Sequence, residues 1–145
     1  MSGPTEQQIH VAIAQFLDVA LPAGAWHTAL DSSSKSSAVA GAQLKARGGK
    51  KGTPDHLVLW HGGVLFLEVK TRKGRASPEQ FAVRDALQAN GCHWALVRSV
   101  EDVETVLRET GWPLRIAEDA HETSRPTDEE LAAVRKYDPK KVWTS

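Results

Sequence analysis

Two apolar runs separated by three residues constrain this chain more than anything else in it. Asp55–Trp60 (DHLVLW) and Val64–Thr71 (VLFLEVKT) flank His61-Gly62-Gly63. Runs of six to eight residues rich in Val, Leu and aromatics, joined by a Gly-Gly dipeptide that tolerates positive φ, predict a β-hairpin. With Gly62-Gly63 as the two-residue turn, His61 faces Val64, Leu57 faces Glu68 and Asp55 faces Lys70. Facing residues share a side of the sheet, as do residues two apart on a strand. Asp55, Glu68 and Lys70 are therefore expected on one face, at the end of the hairpin away from its turn. His56, Val58, Trp60, Leu65, Leu67 and Val69 fill the other face, while Leu57, Leu59 and Phe66 extend the first toward the turn. Both faces are largely apolar, which predicts central strands with helices on each side. A one-residue change of register would separate the three charges.

Helical signals surround the hairpin. Thr5-Glu6-Gln7-Gln8 has capping-box form, and Ile9, Ala12, Ile13, Phe16, Leu17 and Ala20 recur at helical spacing up to Pro22 and Gly24. Ala25–Leu30 reads as a strand, Ala38–Ala46 as a short helix within a Ser-, Gly- and Lys-rich stretch, and His93–Arg98 as another strand. Ser77-Pro78-Glu79-Gln80 starts a helix carried by Phe81, Val83, Ala86, Leu87 and Ala89 to Asn90-Gly91, and Ser99–Thr110 forms one more before Gly111. This order predicts an α/β fold, a single domain with a mixed central sheet flanked by helices. Residues 1–116 form that domain. Residues 117–145 are acidic and poor in apolar side chains, an appendage with a capped helix from Thr127 to about Tyr137.

At 145 residues the chain can bury a core of its own. No apolar run approaches the roughly 20 residues of a membrane span, and MSGPTEQQIH lacks the basic and apolar segments of a signal peptide. Cys92, the one cysteine, excludes an internal disulfide and a thiolate zinc cluster; a reducing, cytoplasmic setting fits best. The formal net charge of zero hides an asymmetry. Ser32 to Arg84 holds ten bases against three acids, a surplus of seven, whereas Glu118, Asp119, Glu122, Asp128, Glu129 and Glu130 make the end acidic. Phosphate binding responds to local potential. A solvated basic loop is the plain alternative.

Two neighbouring carboxylates repel, and a divalent cation relieves that repulsion. Hard oxygen ligands suit Mg²⁺ or Mn²⁺, and the Lys70 ammonium beside them can steady a water losing its proton or a phosphate gaining charge. A surface Asp with an ordinary Glu–Lys pair is the competing reading. Combination gives the pattern its weight: a Gly-Thr-Pro-Asp turn, a hairpin, Glu-Val-Lys ending an apolar strand, then more bases.

Pro54-Asp55 followed by Glu68-Val69-Lys70 resembles the PD-(D/E)xK pattern of restriction-endonuclease-like nucleases. More closely, the chain resembles the virus-type replication-repair nuclease (VRR-NUC) family: an early Glu on the first helix (Glu6), G-x-P-D (Gly52–Asp55), E-x-K-T (Glu68–Thr71) and G-[KR]-x-S-x-x-Q (Gly74–Gln80). The likeness runs from about Glu6 to Val100 with no departure at these positions. It implies a restriction-endonuclease-like fold and a metal-dependent endodeoxyribonuclease. Asp55, Glu68 and the main-chain carbonyl of Val69 would hold the metal, and Lys70 would position the nucleophilic water. Gln80 would orient Lys70 or the water, and Glu6 would approach as an outer or second-metal ligand. Gln80 also fits the N3 position of a capping box, and Glu6 fits a first-turn carboxylate. The resemblance further implies branched DNA or a Holliday junction as substrate, a homodimer, and a bacterial or phage-infected cell.

Among other polar residues, His10 shares a helix face with Glu6, and His56 is expected to point away from Asp55 as a packing residue. Lys45, Arg47, Lys50, Lys51, Arg72, Lys73 and Arg75 are candidate contacts to the DNA backbone. Trp26, Trp60 and Trp94 are expected in the core; Trp112 and Trp143 are candidates for stacking on bases or for a subunit contact. The alternatives to a nuclease are a non-catalytic nucleic-acid-binding module on the same fold and a hydrolase of small phosphoesters. Paired carboxylates weigh against the first, and the surrounding bases against the second.

Overall fold

A computed structural model describes residues 3–30, 37–115 and 127–135. In chain order the elements are α1 (Glu6–Ala20), β1 (Trp26–Ala29), α2 (Ala38–Ala46), β2 (His56–Trp60), β3 (Gly63–Val69), α3 (Pro78–Ala89), β4 (His93–Val97), α4 (Val100–Glu109) and α5 (Asp128–Arg135). The strands form one mixed sheet in the order β1-β2-β3-β4. The first two pairings are antiparallel and the third is parallel, with α3 as the crossover the parallel pair requires. Among the described residues no helix is long and apolar enough to cross a membrane. Trp143 and Tyr137 lie outside the described residues.

The hairpin exists, but its register differs from expectation by two residues. Leu59 faces Val64, Leu57 faces Phe66 and His56 faces Leu67. The turn is therefore His61-Gly62, with φ of 45° and 84°, and Gly63 begins the strand. Histidine is among the few non-glycine residues that populate this left-handed region. The reason Gly63 is spared for the strand lies in α5. A Cβ at Gly63 would come within 2.9 Å of the Val134 carbonyl oxygen and 3.0 Å of the Val134 Cβ. Because the offset is two residues, each side chain keeps its predicted side of the sheet.

One side is the core. Val58, Trp60, Leu65, Leu67, Val69, Ala95 and Val97 pack under α1 (Ile9, Ile13, Leu17), α4 (Val103, Val106, Leu107) and Trp112. Val134 of α5 is fully buried in the same cluster, and its carbonyl lies 3.2 Å from His93 Nε2. Residues 127–135, set apart by their acidic composition, thus supply part of the core wall. α1 starts as its capping box dictates: Thr5 Oγ1 accepts from the Gln8 N–H (3.1 Å) and the Thr5 N–H donates to Gln8 Oε1 (2.9 Å).

The opposite side is covered only in part. α3 packs on β4, which leaves all five residues of that strand buried. Leu57, Leu59, Val64 and Phe66 stay half-exposed, so the expectation of helices over both faces holds on the β4 side alone. Trp26 pairs with Leu59 on this uncovered part and is 56% exposed, contrary to its expected place in the core. Trp112 is 2% exposed and belongs to the core, which removes it from the stacking candidates.

Candidate functional site

Beyond His56 the β2–β3 ladder ends and the chain bends. The Asp55 N–H still donates to the Leu67 carbonyl (3.0 Å), and the Asp55 carboxylate turns so that Oδ2 accepts the N–H of Val69 at 2.8 Å. Asp55 is thus tied to the main chain midway between Glu68 and Lys70. The expected pairings of Asp55 with Lys70 and Leu57 with Glu68 do not occur, because Leu57 faces Phe66.

Glu68 is 1% exposed, a carboxylate inside the sheet. A buried charge demands partners. An ion pair and a hydrogen bond converge on its Oε1: the Lys70 Nζ lies at 3.6 Å and the Gln80 Nε2 donates at 2.8 Å. Lys70, one residue past the end of β3, is itself largely sequestered, with a side chain 12% exposed. Gln80 also completes the capping box of α3, its Oε1 accepting the Ser77 N–H (2.8 Å) while its N–H donates to Ser77 Oγ (3.2 Å). The two readings of Gln80 coexist in one amide: the oxygen caps the helix and the nitrogen holds the carboxylate.

The turn before Asp55 is built against the same helix start. Gly52 has φ +88°, and a Cβ there would lie 2.6 Å from the carbonyl carbon and oxygen of Glu79 and 2.9 Å from the Gln80 nitrogen. Only a residue without a side chain fits both the dihedral and the space. Pro54 is buried beside it, and Lys51 Nζ meets Glu79 Oε1 at 3.3 Å. Hydrogen bonds from the first-turn backbone and from Lys51 keep the Glu79 carboxyl below its ordinary range. Turn, strand and helix start therefore close on one another.

Other sequence candidates are placed differently. Glu6 is exposed in the first turn of α1, and its carboxylate makes no hydrogen bond or ion pair with the described residues. Lys45, Arg47 and Lys50 are exposed on α2 and the loop after it. Arg72, Lys73 and Arg75 are exposed on the loop that follows Lys70 and line a cleft of about 760 Å³ with Phe81, Leu96 and Arg98. Arg98 was not singled out by sequence, since it reads as an ordinary strand end. Its Nη1 donates to the carbonyls of Thr71 (2.6 Å), Arg72 (3.2 Å) and Gly74 (2.6 Å) and so fixes the shape of this loop.

A second polar cluster lies on the core side of the sheet. His56, 2% exposed, is bonded at both ring nitrogens: Nδ1 to His10 Nε2 (2.9 Å) and Nε2 to His27 Nδ1 (2.8 Å). His27 Nε2 reaches Asp18 Oδ1 at 2.6 Å. The Asp18 carboxylate can only accept, so with neutral rings each histidine donates from Nε2 along the chain toward Asp18. Burial, reinforced by His10 and His27, pushes the His56 pKa down to about 4. As expected, His56 points away from Asp55, but it ties α1 and β1 to β2 rather than serving as bare packing. His10 is committed to it. Asp18 and His27 carry no motif, and only topology brings them there.

No protein-family model matches the sequence, and no curated protein does. Solved structures do match in fold. One described as a VRR_NUC domain protein superposes with a TM-score of 0.57 at 18% identity, covering 74% of this chain and 88% of that one. Another, described as a VRR_NUC domain, gives a TM-score of 0.51 at 20% identity, over 72% of this chain and 97% of that one. The chain therefore has the fold of these VRR_NUC domain structures, an α/β domain with a mixed sheet.

Proposed function

We propose that this chain is a divalent-metal-dependent nuclease that hydrolyses phosphodiester bonds in DNA. One observation carries the reading: Lys70 and Gln80 converge on one oxygen of the buried Glu68, while Asp55 is anchored at the residue between Glu68 and Lys70. A structural ion pair has no need of a second carboxylate beside it, and a pure binder of phosphate is weakened by both. The fold shared with VRR_NUC domain structures supports the same reading.

Asp55 and Glu68, with the main-chain carbonyl of Val69, would hold Mg²⁺ or Mn²⁺. The donor set fits: all three are hard oxygens, and a set this small leaves coordination positions for water and phosphate, as Mg²⁺ prefers. When bound, the ion supplies Lewis-acid polarisation of the phosphate and acidifies water. The protein's own groups do the rest. Gln80 locks the Glu68 carboxylate in one orientation. Lys70, held by Glu68 yet still reached by solvent, orients the attacking water and offsets charge developing on the phosphate. Glu6 as an outer or second-metal ligand rests on the family resemblance alone.

The substrate we assign is branched DNA such as a four-way junction, cut by a homodimer whose two-fold axis presents a site to each of two opposing strands. The test is a panel of labelled DNA structures with Mg²⁺ or Mn²⁺, comparing wild type with Lys70→Ala. Equal cleavage by both proteins overturns the mechanism. Cleavage of linear duplex but not of junctions removes the branched substrate and leaves the nuclease. Binding retained without cleavage in the wild type favours a non-catalytic module.

A further inference from the structure

The cleft beside Lys70 is built for more than gripping a backbone. Its rim is cationic: Arg72, Lys73 and Arg75 are exposed and form no salt bridge with the described residues. Its floor is apolar, formed by Phe81 and by Leu96, which is 6% exposed. The Phe81 ring is held by Trp94, at 6.3 Å between centroids, and by the Arg84 guanidinium, which lies over it 4.7 Å from the Phe81 centroid. The volume, about 760 Å³, lies within the roughly 300–1,000 Å³ typical of small-molecule sites. Phosphate oxygens alone call for cations; a hydrophobic aromatic floor beneath them calls for a planar, apolar-faced group as well.

The position of the cleft is equally specific. Leu96 is the cross-strand partner of Glu68, and a Cβ on Gly74 would touch the Lys70 stem at 3.4 Å. The cleft thus begins one strand spacing from Glu68, and one of its lining residues, Gly74, lies against the Lys70 stem. Its loop is preformed, because one guanidinium already holds three of its carbonyls.

We propose that this cleft binds one unpaired nucleotide of the DNA strand next to the phosphodiester at Glu68 and Lys70, its base against Phe81 and its phosphates on Arg72 and Arg75. In a paired duplex both faces of each base are taken by its neighbours, so only an unstacked base reaches an aromatic surface below a basic rim. This rests on the nuclease reading and adds to it the local state of the substrate: the nucleotide at the site of cleavage is unpaired, or opened at the branch point.

The test uses the full chain without divalent metal, so that binding is read apart from cleavage. Fluorescence anisotropy compares a labelled short oligothymidine with a blunt hairpin duplex at equal salt. The expected result is a preference for the single strand that falls about tenfold in Phe81→Ala, the scale of one base–aromatic stack, and survives in Phe81→Tyr. A Phe81→Ala protein that folds and keeps the preference unchanged overturns the proposal, as does wild type binding strand and duplex alike. Should Phe81→Ala not fold, the exposed pair Arg72→Ala/Arg75→Ala decides. Loss of two phosphate contacts reduces the single-strand salt slope by about 1.4, and an unchanged slope overturns the assignment. A chain that binds single strands through Phe81 but cleaves nothing with Mg²⁺ or Mn²⁺ sinks the nuclease and leaves the cleft. One whose cleavage needs Lys70 but ignores Phe81 does the reverse.

Discussion

Replacing Gly52 by alanine isolates the contact on which the site's assembly turns. Gly52 has φ +88° and backs onto the Glu79–Gln80 backbone, where a methyl group would sit 2.6 Å from two main-chain atoms. Gly24 has nearly the same φ, +84°, with nothing within 4 Å of its Cβ position. Both substitutions carry the left-handed penalty of about 1–2 kcal/mol and both gain about 0.4–1 kcal/mol by stiffening the unfolded chain. These effects cancel between the two variants. What remains for Gly52→Ala is the overlap with rigid backbone, about 1–3 kcal/mol on the scale of overpacking substitutions. For a domain of this length that corresponds to a melting temperature about 4–12 °C below that of Gly24→Ala. If the strain is relieved by pushing the first turn of α3 away, the Gln80–Glu68 hydrogen bond goes with it. Cleavage should then fall further in Gly52→Ala than in Gly24→Ala when both are assayed well below their melting temperatures. Thermal and urea unfolding of the two proteins side by side measures the difference. Equal stabilities within about 0.5 kcal/mol, the usual error of such comparisons, would refute the close packing of the Gly52 turn on α3.

Further outcomes are expected elsewhere in the molecule. The folded protein keeps His56 neutral down to about pH 4, whereas the unfolded chain takes up that proton near pH 6.5, so the unfolded state binds more protons between those values. Stability should fall by about 3 kcal/mol as the pH drops through that window; urea titrations at successive pH values check this, and a flat profile in wild type contradicts the buried histidine chain. Gly63→Ala, which drives a methyl into the Val134 carbonyl at 2.9 Å, should cost about 1–3 kcal/mol, and hydrogen exchange should show α5 losing protection first. Gln80→Glu keeps the helix cap but sets a second carboxylate at the 2.8 Å position next to Glu68, so the helix start survives in circular dichroism while cleavage drops about tenfold or more. Mg²⁺ or Mn²⁺ at a hundred times its dissociation constant should stabilise the wild type by about 2.7 kcal/mol. Asp55→Ala should lose that increment in a thermal shift.

Much of the fold was readable because its signals are local. Capping boxes at Thr5 and Ser77, apolar stripes, and the paired runs around Gly62 each involve residues within a few positions of one another, and each formed, the hairpin with a shifted register. The hairpin register was misplaced because the cause lies far along the chain: Gly63 is small to admit α5, not to make the turn. Trp26 defied its composition because β1 is an edge strand on the uncovered half of the sheet. In the candidate site, the closeness of the two carboxylates and the lysine was legible from the alternation along and just past β3 and from the turn before β2. Arg98, Phe81 and the Asp18–His27–His56–His10 chain were not, since each acquires its partner only when strands distant in sequence come together.

On the proposed nuclease reading, the Gln80 amide makes the integrity of the chemistry a matter of helix fraying. First turns open and reclose far more often than whole domains unfold, on free energies well below the global value. Each time the Ser77–Gln80 cap opens, Glu68 loses its amide donor, and the molecule passes briefly into a silent form. Amide exchange at Gln80 and Phe81 would then count the fraction of molecules ready to act, and a sequence change that merely tightens that one turn would raise turnover without touching a reacting group.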